Sequence, residues 1–504
     1  MTRIRTEHGI VEGLPDDGVH LFRAIPYAAP PFGRNRFRAP QPPERWDGVR
    51  DATRPGVVPP QPPEPNPLEA LYVARNVGED CLTLEVTTPD PGARGLPVMV
   101  HFHGGGFVFG AGSLTGYRGH SFARSGTVHV GVNYRLGIDG FLHLPDAADN
   151  RGLRDQAAAL EWVQRNISAF GGDPGNVTIF GQSAGAVSVF DHLAMPASRG
   201  LFHRAIAQSG HPAATVDADE AMRVTRQVAR RLRAAPTAAG LAGLSIGRTV
   251  DATQKAIERF ARGLVVGASA PLLISPFRGV HDTEMLPAPA TSGDADVPLL
   301  TGTVRNEMVE LINAIRSAAG PLAPLLRRGI GRALDVDAGL RAAYRDGPRR
   351  IADGDALVEA VWTDWGFRIP TLRFAAERPA PTWVYEFRWQ PPTLPPLRHA
   401  FHSIDLSFVR DDLNLMLAQG EPARALLGPE PPRGLARRMH ETWVRFAATG
   451  DPGWDRYVPT DHATMIFDET DAVVRDAAGT ERAAWDGRPV HDPHPAIGMR
   501  SRTA

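Results

Sequence analysis

A lone hydroxyl set between two glycines at the end of an apolar run is a place where acyl-transfer chemistry can begin. In "VTIFGQSAGAVSV", Val177 to Val189, β-branched and apolar residues break at Gly-Gln-Ser-Ala-Gly and then resume. That order fits a nucleophile elbow, in which a strand ends, a tight turn raises a serine, here Ser183, and a helix begins. It fits equally an ordinary strand-to-helix turn in which small residues serve close packing. A serine hydroxyl is a weak nucleophile at neutral pH, so catalysis also needs a base, an acid to orient that base, and donors for the oxyanion. "HFHGGGF", His101 to Phe107, offers glycine N–H groups with no side chains in the way. Such a loop suits an oxyanion, a tight connection or a phosphate, although it lacks the lysine and Ser/Thr of a P-loop. Cys81, the only cysteine, is a second candidate thiol nucleophile, but "EDCLTLEV" reads as a strand entering a core, where a thiol is inert.

These residues need a scaffold, and the hydrophobic pattern describes one. Val98 to Phe102 and Val128 to Val132 are short apolar runs suited to strands buried on both faces. Leu153, Ala157, Leu160, Val163 and Ile167 recur at helical spacing, and Gly171-Gly172-Asp173-Pro174 ends that helix before a strand over Val177 to Phe180. Strand, helix, strand, elbow, helix predicts a mainly parallel α/β sheet. The proline-rich first ninety or so residues predict an antiparallel edge with loops. Arginine-rich stretches between about Ala214 and Ala290, and again over about 310–370, predict helices packed over the sheet rather than a separate domain. Strands are expected at Val297 to Thr303 and in "PTWVYEFRW" after Pro381. One catalytic domain over 1–490 is expected, with a C-terminal tail, 491–504; the chain after Trp485 has little to bury.

Composition narrows the partners. Of 504 residues, 42% are hydrophobic and 22% charged, the balance of a soluble globular protein with a substantial core. Fifty-five Lys+Arg against 56 Asp+Glu give a formal net charge of -1, which provides no field to attract nucleic acid or an anionic membrane. A small molecule is the expected partner, and the oligomeric state is open. "MTRIRTEHGIVEG" has no continuous apolar core of a secretory signal, and glycines, prolines or charges interrupt each later apolar run, so a cytoplasmic location is expected. One cysteine permits neither an intrachain disulfide nor a cysteine-based metal cluster.

Several long ordered motifs, "FRAIPYAAPPFGRNRFRAPQPPERWDGVRDAT", "GEDCLTLEV", "HFHGGGFVFG", "VNYRLGIDGFL", "NRGLRDQAAALEWVQRNISAFGGDPGNVTIFGQSAGAVSV" and "LFHRAIAQSG", closely resemble the type-B carboxylesterase (cholinesterase-like) family of α/β-hydrolases. The resemblance runs over nearly the whole chain. It implies an α/β-hydrolase fold, a serine carboxylesterase and a Ser-acid-His order of catalytic residues. Matched segment by segment, it implies Ser183 as nucleophile, Glu307 in "LLTGTVRNEMVELI" as the acid, and His402 in "AFHSIDLSFVRDDL" as the base. Glu310 and His399 are the nearby competitors. Gly105, Gly106 and Ala184 are the implied oxyanion donors, and no metal or organic cofactor is required.

Three departures from the family pattern bear on function. Gln182 stands before the nucleophile where glutamate is common, keeping hydrogen bonding but removing a charge. Pro59 stands where secreted relatives place the disulfide partner of Cys81, in keeping with a reducing compartment. The loop from Val57 to Cys81 has no tryptophan, so the aromatic face that choline-handling relatives present is missing and choline esters are not expected. Trp362 and Trp365 read as core rather than pocket. Small, uncharged, fairly apolar esters are the expected substrates; carbamates or amides on the same triad, or a non-catalytic binding protein of this shape, are the alternatives.

Overall fold

The computed structural model describes residues 1–63, 76–265, 275–290, 296–352, 354–392 and 399–490. Its centre is a 13-stranded sheet in the order β1-β2-β3-β5-β7-β6-β8-β9-β10-β11-β12-β13, with β4 paired to β2. The strands of the middle are β6 (Leu96–Phe102), β7 (Val128–Val132), β8 (Gly172–Gln182), β9 (Arg204–Gln208), β10 (Leu299–Val304), β11 (Thr382–Phe387) and β12 (Ala463–Phe467). Each pairs in parallel with its neighbour from β7 across to β12. The N-terminal strands β1 (Thr2–Arg5), β2 (Ile10–Asp16), β3 (Val19–Pro26) and β5 (Thr83–Thr88) join in antiparallel fashion, and β13 (Ala472–Arg475) closes the far edge the same way. Short β4 (Val49–Asp51) lies parallel to β2. The expected antiparallel N-terminal edge and parallel centre are both present.

Alternation along each strand divides the core between the two faces. On β6, Val98, Val100 and Phe102 pack with Val177 and Ile179 of β8 on one side, and Met99 packs with Phe180 on the other. The first side is covered by α1 (Arg151–Asn166), whose Leu153, Ala157, Leu160 and Val163 are buried as the spacing predicts, and by α2 (Ala184–Ala194), which starts at the elbow. Helices α3 (Ala218–Leu232), α4 (Ile246–Val265), α5 (Val309–Ala319), α6 (Asp355–Thr363) and α7 (Ile369–Glu377) fill the two regions expected to be helical, and α8 (Arg433–Thr449) seals the second face with Met439, Trp443 and Phe446. Between α6 and α7 the turns widen into a π-helical stretch, Asp364–Arg368. Trp362 and Trp365 belong to a buried apolar cluster there, as expected of core residues.

Two expectations are refined. The strand leading to the elbow begins at Gly172, not Val177, because Leu96 pairs with Gly172 across a register shift and carries the ladder further back. The chain after Trp485 is also tied down more firmly than its composition suggests: Val490 is buried, and its carbonyl accepts a hydrogen bond from His211 at 2.8 Å. The tail over 491–504, and residues 64–75 of the loop that lacks tryptophan, lie outside the described residues. Cys81 is fully buried in the core, and burial drives its thiol pKa up, so it stays protonated. Among the described residues no helix is long and apolar enough to cross a membrane.

One buried ion pair fixes the segment after β7. Arg135 Nε and Nη2 grip both oxygens of Asp155 at 2.8 and 2.6 Å, and the Arg135 backbone N–H donates to the same carboxylate at 3.0 Å. Both side chains are essentially without solvent. Asp155→Ala leaves a guanidinium buried without its counter-charge and is expected to cost about 3–5 kcal/mol, read as a lower denaturant midpoint. Arg135→Met with Asp155→Leu is expected to recover most of that loss; equal destabilisation of single and double variants would refute the assignment.

Candidate active site

Ser183 occupies the junction of β8 and α2 with φ 56° and ψ −122°, a backbone conformation rarely taken by residues with a side chain. The turn closes because its glycines allow close approach. A Cβ on Gly185 would lie 2.0 Å from the Phe102 carbonyl oxygen, and one on Gly181 would lie 2.5 Å from the Gly185 backbone. The Ser183 backbone N–H donates to the Gln208 carbonyl at 3.0 Å, locking the elbow to the end of β9. The glycine loop after β6 rests on this turn, since a Cβ on Gly104 would meet Ser183 Cβ at 3.3 Å. Gly105 and Gly106 follow with φ of 104° and 60°. His103 supports them from beneath through Nδ1 and the Gly104 carbonyl, 2.8 Å apart, and burial holds its pKa down to about 4, so the ring stays neutral.

Glu307 and His402 come together as the motif order implies. Glu307 sits in the loop after β10; one carboxylate oxygen accepts the Val304 backbone N–H at 2.9 Å and the other meets His402 Nδ1 at 2.5 Å. The two loops are joined by backbone as well: Asn306 pairs with Phe401 as an isolated parallel bridge, and its N–H donates to the Ala400 carbonyl at 2.9 Å. Glu310 lies in the first turn of α5 and adds charge near the imidazole without taking the hydrogen-bonding place of Glu307. His399 stands apart from this contact, donating no ring hydrogen bond to Glu307 among the described residues.

Burial alone would disfavour the His402 imidazolium, but the hydrogen bond and charge of Glu307, with Glu310 and Asp405 beyond it, prevail and raise its pKa above the usual 6.5. With Nδ1 directed at Glu307, Nε2 is the ring nitrogen that faces the elbow turn. It lies 3.0 Å from the Gln182 side-chain nitrogen, a contact that motif reading did not predict. Among the described residues no hydrogen bond joins Ser183 Oγ to the ring, so the arrangement is a Glu307–His402 pair facing the Gln182–Ser183 turn.

Asp405 follows His402 by three residues and ties its loop to the sheet. Its buried carboxyl accepts from Gln208 Nε2 at 3.0 Å and from the Tyr385 hydroxyl at 3.1 Å. Burial first, then the Glu307 charge, pushes its pKa up to about 6. Through Gln208 the histidine loop is thereby connected to the strand end that holds the elbow.

Ser183, Ala184 and Gly106 open onto a cavity of about 400 Å³ including its mouth, walled by Phe107, Val187, Phe277 and Phe367. Phe367, from the π-helical stretch, also lies against the His402 ring at a centroid distance of 5.4 Å. Irregular helical turns of this type often occur at functional sites. Among the described residues no group of three or more His, Cys, Asp or Glu side chains is arranged to hold a metal ion. The cavity offers an apolar chamber and a strained serine, and Phe367 on its wall packs against the His402 ring.

Comparison with known proteins agrees with this geometry. The model of the carboxylesterase family matches residues 1–481. The para-nitrobenzyl esterase of Bacillus subtilis (strain 168) is 35% identical over 503 residues, covering 95% of this chain and 97% of that protein. The phenmedipham hydrolase of Pseudarthrobacter oxydans is 32% identical over 506 residues, covering 94% and 96%. Among solved structures, a carboxylesterase of Geobacillus stearothermophilus superposes with a TM-score of 0.82 at 30% identity, covering 96% of this chain and 100% of that one. With its parallel sheet, elbow and buried Glu–His pair, the chain belongs to the carboxylesterase family and is a serine carboxylic-ester hydrolase of the α/β-hydrolase fold.

Proposed function

We propose that Ser183, Glu307 and His402 form the catalytic triad, and that the substrates are small, uncharged, fairly apolar esters. The observation that carries this reading is the 2.5 Å Glu307–His402 contact beside a serine held in elbow geometry at an apolar cavity. His402 Nε2 takes the Ser183 proton as Oγ attacks the ester carbonyl. Glu307 holds the ring's tautomer and stabilises the imidazolium that results. For Ser183 to reach Nε2, the Gln182 amide must yield its place, so Gln182 competes for the base in the resting enzyme. Gly105, Gly106 and Ala184 donate backbone N–H groups to the oxyanion, each worth about 3 kcal/mol in a preorganised site. His402 then returns the proton to the leaving alcohol, and water, activated by the same base, releases the acyl group.

The walls of Phe107, Val187, Phe277 and Phe367 favour apolar substituents over charged ones. The relative named a para-nitrobenzyl esterase supports ester substrates, and the one named a phenmedipham hydrolase supports hydrolysis as the reaction. The chain is read as one catalytic unit over 1–490 acting in the cytoplasm, where a lone buried thiol suits the reducing conditions.

Initial rates on p-nitrophenyl esters of increasing acyl length test the reading. Ser183→Ala is expected to lower kcat by at least about a thousand-fold while leaving the unfolding midpoint near that of the parent; undiminished turnover would overturn the assignment. The pH dependence of kcat/KM tests the base. Because the charge of Glu307 favours the imidazolium, the acid limb is expected above pH 6.5, with activity gained as His402 loses its proton. Gln182→Glu places a carboxylate beside Nε2, stabilises the imidazolium further, and is expected to move that limb to higher pH by on the order of 1 unit. Superimposable profiles for the two proteins would show that position 182 does not address the base.

A further inference from the structure

Among the described residues that line the cavity beside Ser183 there is one arginine and no lysine. Arg278 lines it together with Phe277 and Ser275, and the Arg278 side chain is about nine-tenths buried. Its Nη2 is committed to Glu220 of α3 at 2.5 Å, but among the described residues its buried Nε has no hydrogen-bond partner. A buried donor on a charged group that makes no bond costs free energy that a bound acceptor would restore.

The other polar groups on the wall do not serve it. Ser275 Oγ accepts the Phe277 backbone N–H at 3.0 Å. His211 spends both ring nitrogens, one on the Ala213 N–H at 2.9 Å and the other on the Val490 carbonyl at 2.8 Å. Ser209 Oγ is buried and also unpartnered, but a hydroxyl both donates and accepts and therefore does not select for an acceptor. Among the described side chains on this wall, Arg278 is the one that can only donate and still has an unspent N–H.

Charge decides what kind of acceptor fits. Arg278 and Glu220 already neutralise each other, so a carboxylate entering the cavity would leave the chamber with an uncompensated negative charge among phenylalanine rings. An uncharged oxygen brings a lone pair without that cost. We propose that Arg278 is a specificity-determining residue, selecting esters whose cavity-bound substituent carries an uncharged hydrogen-bond acceptor, such as an ether or ketone oxygen, a few atoms from the scissile carbonyl. This rests on the esterase assignment of Ser183 and refines its substrate class from plain apolar esters to oxygenated ones.

The test compares p-nitrophenyl esters of straight-chain acids with ether counterparts in which one methylene is replaced by oxygen, the oxygen being walked along the chain. Each kcat/KM is divided by the rate of uncatalysed alkaline hydrolysis to remove intrinsic reactivity. At one chain position the wild-type protein is expected to prefer the ether by roughly ten-fold, the scale of one hydrogen bond from a charged donor, and Arg278→Met is expected to abolish that preference. Turnover of the hydrocarbon series by Arg278→Met reports that the variant is folded. Glu220→Gln gives a second test that does not depend on Arg278→Met. By removing the pairing charge while keeping the donor, it is expected to admit half-esters of dicarboxylic acids that the wild type rejects. An ether preference that is absent at every position, one that survives in Arg278→Met, or no gain on half-esters in Glu220→Gln would each overturn the proposal. Failure of the wild type to hydrolyse the hydrocarbon esters, or full activity in Ser183→Ala, would instead overturn the esterase assignment on which it rests.

Discussion

A serine held at φ 56° and ψ −122° is strained by on the order of 1–3 kcal/mol, and nothing within the turn itself offsets that cost. The offset comes from outside. β8 lies between β6 and β9, α2 buries Ala186, Val189 and Phe190 against the sheet, and the Gln208 carbonyl holds the Ser183 N–H. Close packing of α2 on Phe102 is what demands glycine at 185, and the same contact brings the glycine loop to the serine. The breadth and density of the parallel core are thus conditions of the site as much as of stability.

The electrostatics follow from burial. His402 is enclosed by three carboxyl groups, Glu307 in contact and Glu310 and Asp405 further away, all of which favour its protonated form against the penalty of desolvation. Asp405, with a pKa pushed up to about 6, exerts less than a full negative charge in mildly acid solution, while its bonds to Gln208 and Tyr385 keep the loop in place in either state. A neutral Gln182 beside Nε2 leaves this balance to the acids behind the ring.

Local signals were legible in the amino-acid sequence because they depend on local physics. The all-buried runs at β6 and β7, the helical spacing of α1 and the glycines of the elbow each follow from the burial or backbone demands of one element. Glu307 and His402 came from motif resemblance, and their contact was implied by triad order rather than by anything in either segment. What escaped was set by docking. The Gln182–His402 contact joins residues 220 apart, the Arg278–Glu220 pair joins two stretches that read only as helix and loop, and the anchoring of Val490 by His211 has no periodic trace. Gly171 to Pro174 read as a helix stop, and Gly172 among them also pairs with Leu96 across a register shift, which carries the beginning of β8 back from Val177.

The isolated Asn306–Phe401 bridge unites two loops whose working residues lie 95 positions apart, after the elbow has already been synthesised. During translation Ser183 is therefore synthesised well before His402. A chain that stops short of residue 402 carries the elbow turn but lacks the imidazole that faces it. The Glu307–His402 contact and the turn it faces are thus brought together only when the C-terminal half of the chain has docked.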